Sequence, residues 1–247
     1  MAKKKASDFR YNTGETKVPW AAVGENYNAE DLMAIVKFLM KGDGEEYTAA
    51  KNDQARRANR YKNRAGGTFM NYALIGCGRI ATNHMKAAIN NKLNIVAVCD
   101  VLPEAMENLL AKHGLEHDPS IKRYTDYKQM LAENEITLAS IATESGIHAE
   151  IALHCIDCGV NVIIEKPMAM SMADAEEIIR RSEEKGVKVS ACHQNRFNIA
   201  VQELRRAVEA GRFGRLSHGS IHVRWNRNED YYTQAPWRGT WAQDGGC

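Results

Sequence analysis

Gly76 and Gly78 stand one residue apart at the end of an apolar run, Tyr72-Ala73-Leu74-Ile75, and Ala81 follows three residues after the second glycine. These types at this spacing suit the capture of a pyrophosphate. Such a group is held by backbone amides at close range and by the positive end of a helix dipole, so residues without side chains must stand where the phosphates approach. A small residue at the third position lets the helix pack on the strand, and Gly76-Cys77-Gly78-Arg79-Ile80-Ala81 therefore reads as a strand-to-helix turn. By itself the motif is weak. It gains weight from Asp100, 22 residues beyond Gly78 at the end of a second apolar run, where a carboxylate can accept both hydroxyls of an adenosine ribose. That carboxylate repels a 2′-phosphate, which favours NAD over NADP. Arg79 tempers the preference, since a guanidinium in the turn can pair with phosphate; its plainer reading is a helix-start residue facing solvent.

A turn of this kind works only where a parallel sheet ends, and from Asn71 the chain has that pattern: short apolar strands alternating with amphipathic helices. Strands are expected over Tyr72 to Ile75, Asn94 to Cys99, Leu138 to Thr143, Asn161 to Ile164 and Val187 to Ser190, with a weaker one over Lys122 to Tyr124. Helices are expected near Ile80 to Asn90, Pro103 to His113, Ile147 to Cys158 and Met172 to Lys185, and Asp126 is placed to cap a short additional one. Ser171 and Asp174 make an imperfect capping box for the helix from Met172, with Asp where Glu or Gln is usual. The fold class that follows is α/β, a Rossmann-type doubly wound parallel sheet.

Composition narrows the partners. The 247 residues are 44% hydrophobic and 26% charged, as in an ordinary globular chain, and 33 basic against 31 acidic side chains leave a net charge of +2. Such a balance draws the chain neither to nucleic acid nor to anionic lipid, so small partners are favoured. No apolar run approaches the ~18 residues of a membrane span. Met1 to Lys5 carries lysines without an apolar region behind them, and the expected address is cytoplasmic. Six cysteines sit mostly in apolar stretches and read as buried, reduced thiols. Cys155 and Cys158 form a Cys-x-x-Cys beside His154, but no second pair stands at zinc spacing and four ligands cannot be named, so no metal site is expected.

The first part of the chain differs. Residues 1 to 28 are polar and read as an extended arm, and Leu32, Ile35, Val36 and Leu39 give one apolar face to a helix over Ala29 to Met40. Between Lys51 and Arg64 lie six Lys or Arg and one acid, Asp53, followed by Gly66-Gly67; with Tyr61 as the sole aromatic, this reads as a basic linker rather than a nucleic-acid platform.

Four ordered motifs carry a resemblance. The glycine turn, then Ala142-Thr143-Glu144-Ser145-Gly146-Ile147-His148-Ala149-Glu150, Glu165-Lys166-Pro167-Met168 and His193-Gln194-Asn195-Arg196-Phe197-Asn198, resemble the Gfo/Idh/MocA oxidoreductases over roughly residues 70 to 247. Within that family the run Gln234 to Trp241 is most similar to UDP-N-acetylglucosaminuronate 3-dehydrogenases. The resemblance implies NAD-dependent hydride transfer at a carbon of a nucleotide sugar, with C3 of a UDP-N-acetylglucosaminuronate-like substrate as the target. It also implies a homo-oligomer in full-length relatives. Lys166 would act at the reacting end of the cofactor; taken alone it reads as a surface lysine before a proline turn. Cofactor contacts are implied for Gly76, Gly78, Arg79, Ile80, Asp100, Thr143, His148, Glu165, Lys166 and Pro167, and substrate contacts for Asn195, Arg196, Trp237 and Arg238. For His148 a local hydrogen bond at a helix start is an equal reading, and Trp237 with Arg238 is also an ordinary packing pair.

The organisation implied is an arm and helix over 1–50, a basic linker over 51–69, an NAD-binding domain over 70–192, and the beginning of a substrate and dimerisation domain over 193–247. Family members continue past Asp244-Gly245-Gly246 into a turn and a helix carrying a His, often with an Asp nearby. The expectation is therefore the start of a truncated α+β domain, of whose large sheet only an opening strand, about Leu216 to Trp225, is present. A truncated, catalytically silent dinucleotide-binding fragment is the alternative function. At the other end Val18-Pro19-Trp20-Ala21-Ala22-Val23-Gly24 and the helix after it resemble the arm of DegT/DnrJ/EryC1/StrS sugar aminotransferases, without a pyridoxal-phosphate lysine. A fusion with its junction between Lys51 and Met70 is the hypothesis this suggests.

Overall fold

The computed structural model describes residues 70–224 and 226–246. The expected arm, the helix over Ala29 to Met40 and the basic linker lie outside the described residues. Strands β1 (Asn71–Ile75), β2 (Asn94–Cys99), β3 (Lys122–Tyr124), β4 (Leu138–Ile141), β5 (Asn161–Ile164) and β6 (Val189–Ala191) form one sheet in the order β3-β2-β1-β4-β5-β6. Every pairing is parallel. This is the Rossmann-type doubly wound sheet expected from the alternation of elements.

Parallel strands joined by crossover helices are covered on both faces, so residues of both parities must be apolar. Tyr72 and Leu74 of β1, Leu138 of β4 and Ile163 of β5 enter one core, while Ala73, Ile75, Ala139, Ile141, Val162 and Ile164 enter the other. Helices α1 (Ala81–Asn90) and α2 (Pro103–Ala111) cover the first face through Met85, Ala88, Leu109 and Leu110. On the second face lie α3 (Tyr127–Glu133), α4 (His148–Asp157) and α5 (Met172–Lys185), whose Met130, Ile151, Ile156 and Ile178 are buried. Full burial of each such side chain contributes roughly 1.5–3 kcal/mol. The strand order reverses between β1 and β4, and the crevice at that switch point, beyond the strands' C-terminal ends, is where open α/β sheets bind ligands.

The local signals act as their chemistry predicts. Asp126 accepts the Lys128 N–H and starts α3, and Ser171 Oγ accepts the Asp174 N–H at 3.1 Å and starts α5. The Asp174 carboxylate takes the Ser171 hydroxyl at 2.7 Å. Gly186 closes α5 in the left-handed conformation, φ 64°, followed by Val187 N–H donating to Ser182 O. That closure explains why β6 starts at Val189 and not at Val187.

One expected element is corrected. Residues 216–224 are assigned no strand. A strand needs a neighbour to complete its ladder, and among the described residues none pairs with this segment, although its sequence is strand-like. Helix α6 (Ile199–Glu209) and the short α7 (Glu229–Thr233) flank it.

Within α4 and its C-terminus the Cys-x-x-Cys splits by burial, as a packing helix requires: Cys155 is fully buried and Cys158 exposed. Burial pushes the Cys155 thiol up to about 12, starving it of thiolate. Iodoacetamide at pH 8 is expected to alkylate Cys158 at least about 100-fold faster than Cys155, read by peptide mass spectrometry. Comparable rates would contradict this seating of α4.

Candidate functional site

The glycine turn is built by contacts that only glycine permits. Gly76 has φ +89°, and a Cβ there would lie 2.6 Å from the carbonyl carbon of Ala142 and 2.7 Å from Thr143 N. The ends of β1 and β4 thus meet through the space a side chain would fill. The Gly76 N–H donates to Cys99 O at 2.8 Å, which ties the turn to β2. Gly78 differs, because a Cβ on it would meet nothing within 4 Å. No internal packing asks for glycine at that position, and the open space at the start of α1 suits the close approach of a phosphate. Ala81 is fully buried where α1 meets the sheet.

Asp100 stands just past β2 with both carboxylate oxygens on backbone amides: Oδ2 accepts Cys77 N–H at 2.7 Å and Oδ1 accepts Leu102 N–H at 2.9 Å. It therefore holds the turn and the following loop together. Each carboxylate oxygen has more than one lone pair, so acceptor capacity remains for ribose hydroxyls. Arg79 is exposed and lines, with Cys77, Gly78, Ile80, Asn83 and Lys112, a cleft of about 690 Å³ beside the turn. Ile80 packs against the core below it.

At the other side of the switch point Thr143, Lys166 and Pro167 follow β4 and β5. Lys166 and Pro167 are exposed, and Thr143 is half-buried. His148 makes local contacts, one of the two readings the sequence left open for it. Its side chain belongs to a residue 1% exposed, with Nδ1 2.8 Å from Pro167 O and Nε2 3.1 Å from Thr143 O. It lies behind the crevice and ties its two walls, because both ring nitrogens face backbone carbonyls.

Glu165 is also buried and hydrogen-bonded: Oε1 is 3.0 Å from His84 Nε2, and Oε2 accepts Lys166 N–H at 3.3 Å. Sequence reasoning missed His84. The available signal was a polar residue on the inward face of α1, among Ala81, Met85 and Ala88. The Cys192 thiol joins this pair, with the three donor atoms within 4.8 Å of one another. Those donor types suit zinc, but a metal would displace the existing His84–Glu165 contact, and a structural site needs a fourth ligand.

The expected substrate residues separate into two groups. Asn195 and Arg196 are exposed on the 3-10 turn Gln194–Phe197 after β6, on the side where the strands end. Arg238 is instead engaged within its own segment: Nη1 donates to Tyr231 O at 2.6 Å, and the guanidinium stacks 4.5 Å from the Tyr231 ring and 5.7 Å from Trp237. Arg238 thus makes the packing contacts that were one of the two readings for this pair. Their segment nevertheless approaches the crevice: Gly146 N–H donates to Gln243 O at 3.1 Å, and a Cβ on Gly146 would come within 2.8 Å of Ala242 O.

Comparison with known proteins agrees with this architecture. Residues 70–193 match the oxidoreductase family with an NAD-binding Rossmann fold, and residues 201–247 match the GFO/IDH/MocA C-terminal domain. The chain is similar to the WlbA dehydrogenase of Bordetella pertussis, solved with NADH and UDP-GlcNAcA, at 34% identity and TM-score 0.66, over 71% of this chain and 52% of that one. The WlbA dehydrogenase of Chromobacterium violaceum, solved with the same two ligands, gives 32% identity and TM-score 0.66 over 71% and 50%. A 4-carboxy-2-hydroxymuconate-6-semialdehyde dehydrogenase of Sphingobium sp. is 31% identical over 58% of this chain and 44% of its own length. The chain thus spans about half the length of these relatives. No helix among the described residues is long and apolar enough to cross a membrane.

The two glycines make separable predictions. Gly76→Ala is expected to destabilise the fold by several kcal/mol, since the Cβ strikes backbone at a positive φ. Gly78→Ala is expected to leave the melting temperature within about 2 °C while weakening NADH binding at least about tenfold. Thermal melts and NADH fluorescence titrations check both.

Proposed function

The chain belongs to the Gfo/Idh/MocA oxidoreductase family, and from that premise we propose that it binds NAD across the glycine turn and oxidises a hydroxyl of a nucleotide sugar. The proposed target is C3 of a UDP-N-acetylglucosaminuronate-like substrate. The observation that carries the reading is the shared rim: the open space at Gly78, the Asp100 carboxylate and the exposed Lys166 follow the C-terminal ends of β1, β2 and β5, on either side of the switch point between β1 and β4. Support for the sugar comes from the WlbA dehydrogenases, whose structures hold NADH and UDP-GlcNAcA.

Bound NAD supplies a hydride acceptor. The chain's residues do the remainder. The Gly76–Ala81 turn and the N-terminus of α1 receive the pyrophosphate, and Asp100 receives the ribose hydroxyls and disfavours a 2′-phosphate. Arg79 and Ile80 border the turn, and Thr143 and Pro167 form the walls of the nicotinamide side, braced by His148 and Glu165. Lys166 places Nζ at the substrate hydroxyl, where the neutral amine takes the hydroxyl proton as hydride leaves the carbon, and the ammonium so formed passes that proton to solvent. Asn195 and Arg196 face the incoming sugar nucleotide, where Arg196 offers a planar fork for a carboxylate or phosphate. In this reading residues 70–192 bind the cofactor and residues 193–247 begin the part that binds substrate.

Fluorescence titration with NADH and NADPH is expected to show at least about tenfold tighter NADH binding; tighter NADPH binding would overturn the cofactor preference. Lys166→Ala is expected to leave the NADH Kd within about threefold and to lower NADH production from NAD and UDP-GlcNAcA by about 100-fold or more. Unchanged production would remove the lysine from the chemistry. NADH binding with no production by the unsubstituted chain would favour a dinucleotide-binding module.

A further inference from the structure

His84 lies on α1, the helix that the glycine turn opens, and its side chain is 0% exposed beside a Glu165 side chain that is 8% exposed. Taking a carboxylate out of water is costly unless its oxygens find donors. Glu165 finds one on each side: the His84 imidazole at 3.0 Å from Oε1, and the Lys166 N–H at 3.3 Å from Oε2. One buried group therefore bridges the helix that seats the pyrophosphate and the peptide that carries the lysine.

Packing alone does not require this bridge. Apolar residues of similar volume at such a buried pair are often neutral or stabilising. The neighbouring inward positions of α1, Ala81, Met85 and Ala88, are apolar. What the polar pair adds is a directional link, since a hydrogen bond sets angle and distance where apolar contact lets surfaces slide. The cofactor cradle and the Lys166 turn come from strands β1 and β5, which are separated by β4.

We propose that His84 is a positioning residue: through Glu165 it fixes the Lys166 peptide relative to α1, so that a cofactor seated on the glycine turn meets the lysine ammonium at a set place. The inference rests on the reading of Lys166 at the reacting end of the cofactor. It extends that reading to a residue whose side chain is fully buried.

The test is lysine acylation by sulfo-N-hydroxysuccinimide acetate, followed site by site by mass spectrometry with and without saturating NADH, with the exposed Lys86 and Lys92 as internal references. NADH is expected to slow Lys166 acylation at least about fivefold in the parent protein and in His84→Gln, whose amide nitrogen can stand where Nε2 does. Protection is expected to fall below about twofold in His84→Ala and in the shorter His84→Asn, with the NADH Kd within about threefold throughout. Protection in His84→Ala equal to the parent, or equal loss in His84→Gln and His84→Asn, would overturn the inference. So would an NADH Kd raised more than about tenfold in His84→Asn, which would make His84 a support of the cradle itself. If His84→Ala does not fold, the Gln and Asn variants decide, and equal protection in those two would overturn it. Absence of protection in the parent would instead sink the placement of Lys166 beside the cofactor.

Discussion

The site is organised around the close approach of two backbones. A Cβ at Gly76 would fall 2.6 Å from the carbonyl carbon of Ala142, so the ends of β1 and β4 meet as they do because this residue has no side chain. Those two strands are the pair between which the sheet order reverses. Helix α1 leaves β1 toward one face and α4 follows β4 on the other, which opens the crevice between them. Asp100 closes the arrangement from β2 by accepting the Cys77 and Leu102 amides. The cradle is thus held by backbone geometry and one carboxylate before any ligand arrives.

Behind the crevice lies a layer of polar side chains that do not face it. His148 ties Thr143 to Pro167, and Glu165 ties His84 to the Lys166 peptide. Loops beyond strand ends have few ladder hydrogen bonds of their own, and these buried side chains supply the missing constraints. The same motifs that carry the family resemblance therefore divide into residues exposed at the crevice, such as Gly78 and Lys166, and buried ones behind it, such as Glu165 and His148. A motif read as letters does not make that distinction, because burial and direction are not properties of single positions.

The C-terminal segment shows a related effect. Arg238 and Trp237 suggest recognition of a charged, ring-bearing ligand, yet Tyr231 takes the guanidinium through its carbonyl and its ring. Gly146, in contrast, is inconspicuous in sequence and receives the backbone of Ala242 and Gln243 where a Cβ would not fit. The approach of this segment to the turn after β4 is the one that a side chain at position 146 would obstruct.

Periodicity, turn chemistry and capping are local properties, and they determined by themselves the alternation of strands and helices, the place of the glycine turn, Asp100 at the end of β2, and the caps at Asp126 and Ser171. Both faces of each central strand read as apolar because a doubly covered parallel sheet buries both. What depended on distant contacts was decided only in three dimensions. The segment over 216–224 has strand composition but finds no neighbour among the described residues, and a ladder cannot be written into one strand alone. His84 and Glu165 are 81 positions apart, and their pairing exists only because α1 and the end of β5 pack together. The pattern of single positions set where chemistry is possible; the approach of remote backbones and buried hydrogen-bond partners decided which side chains stay exposed at the crevice and which are buried behind it.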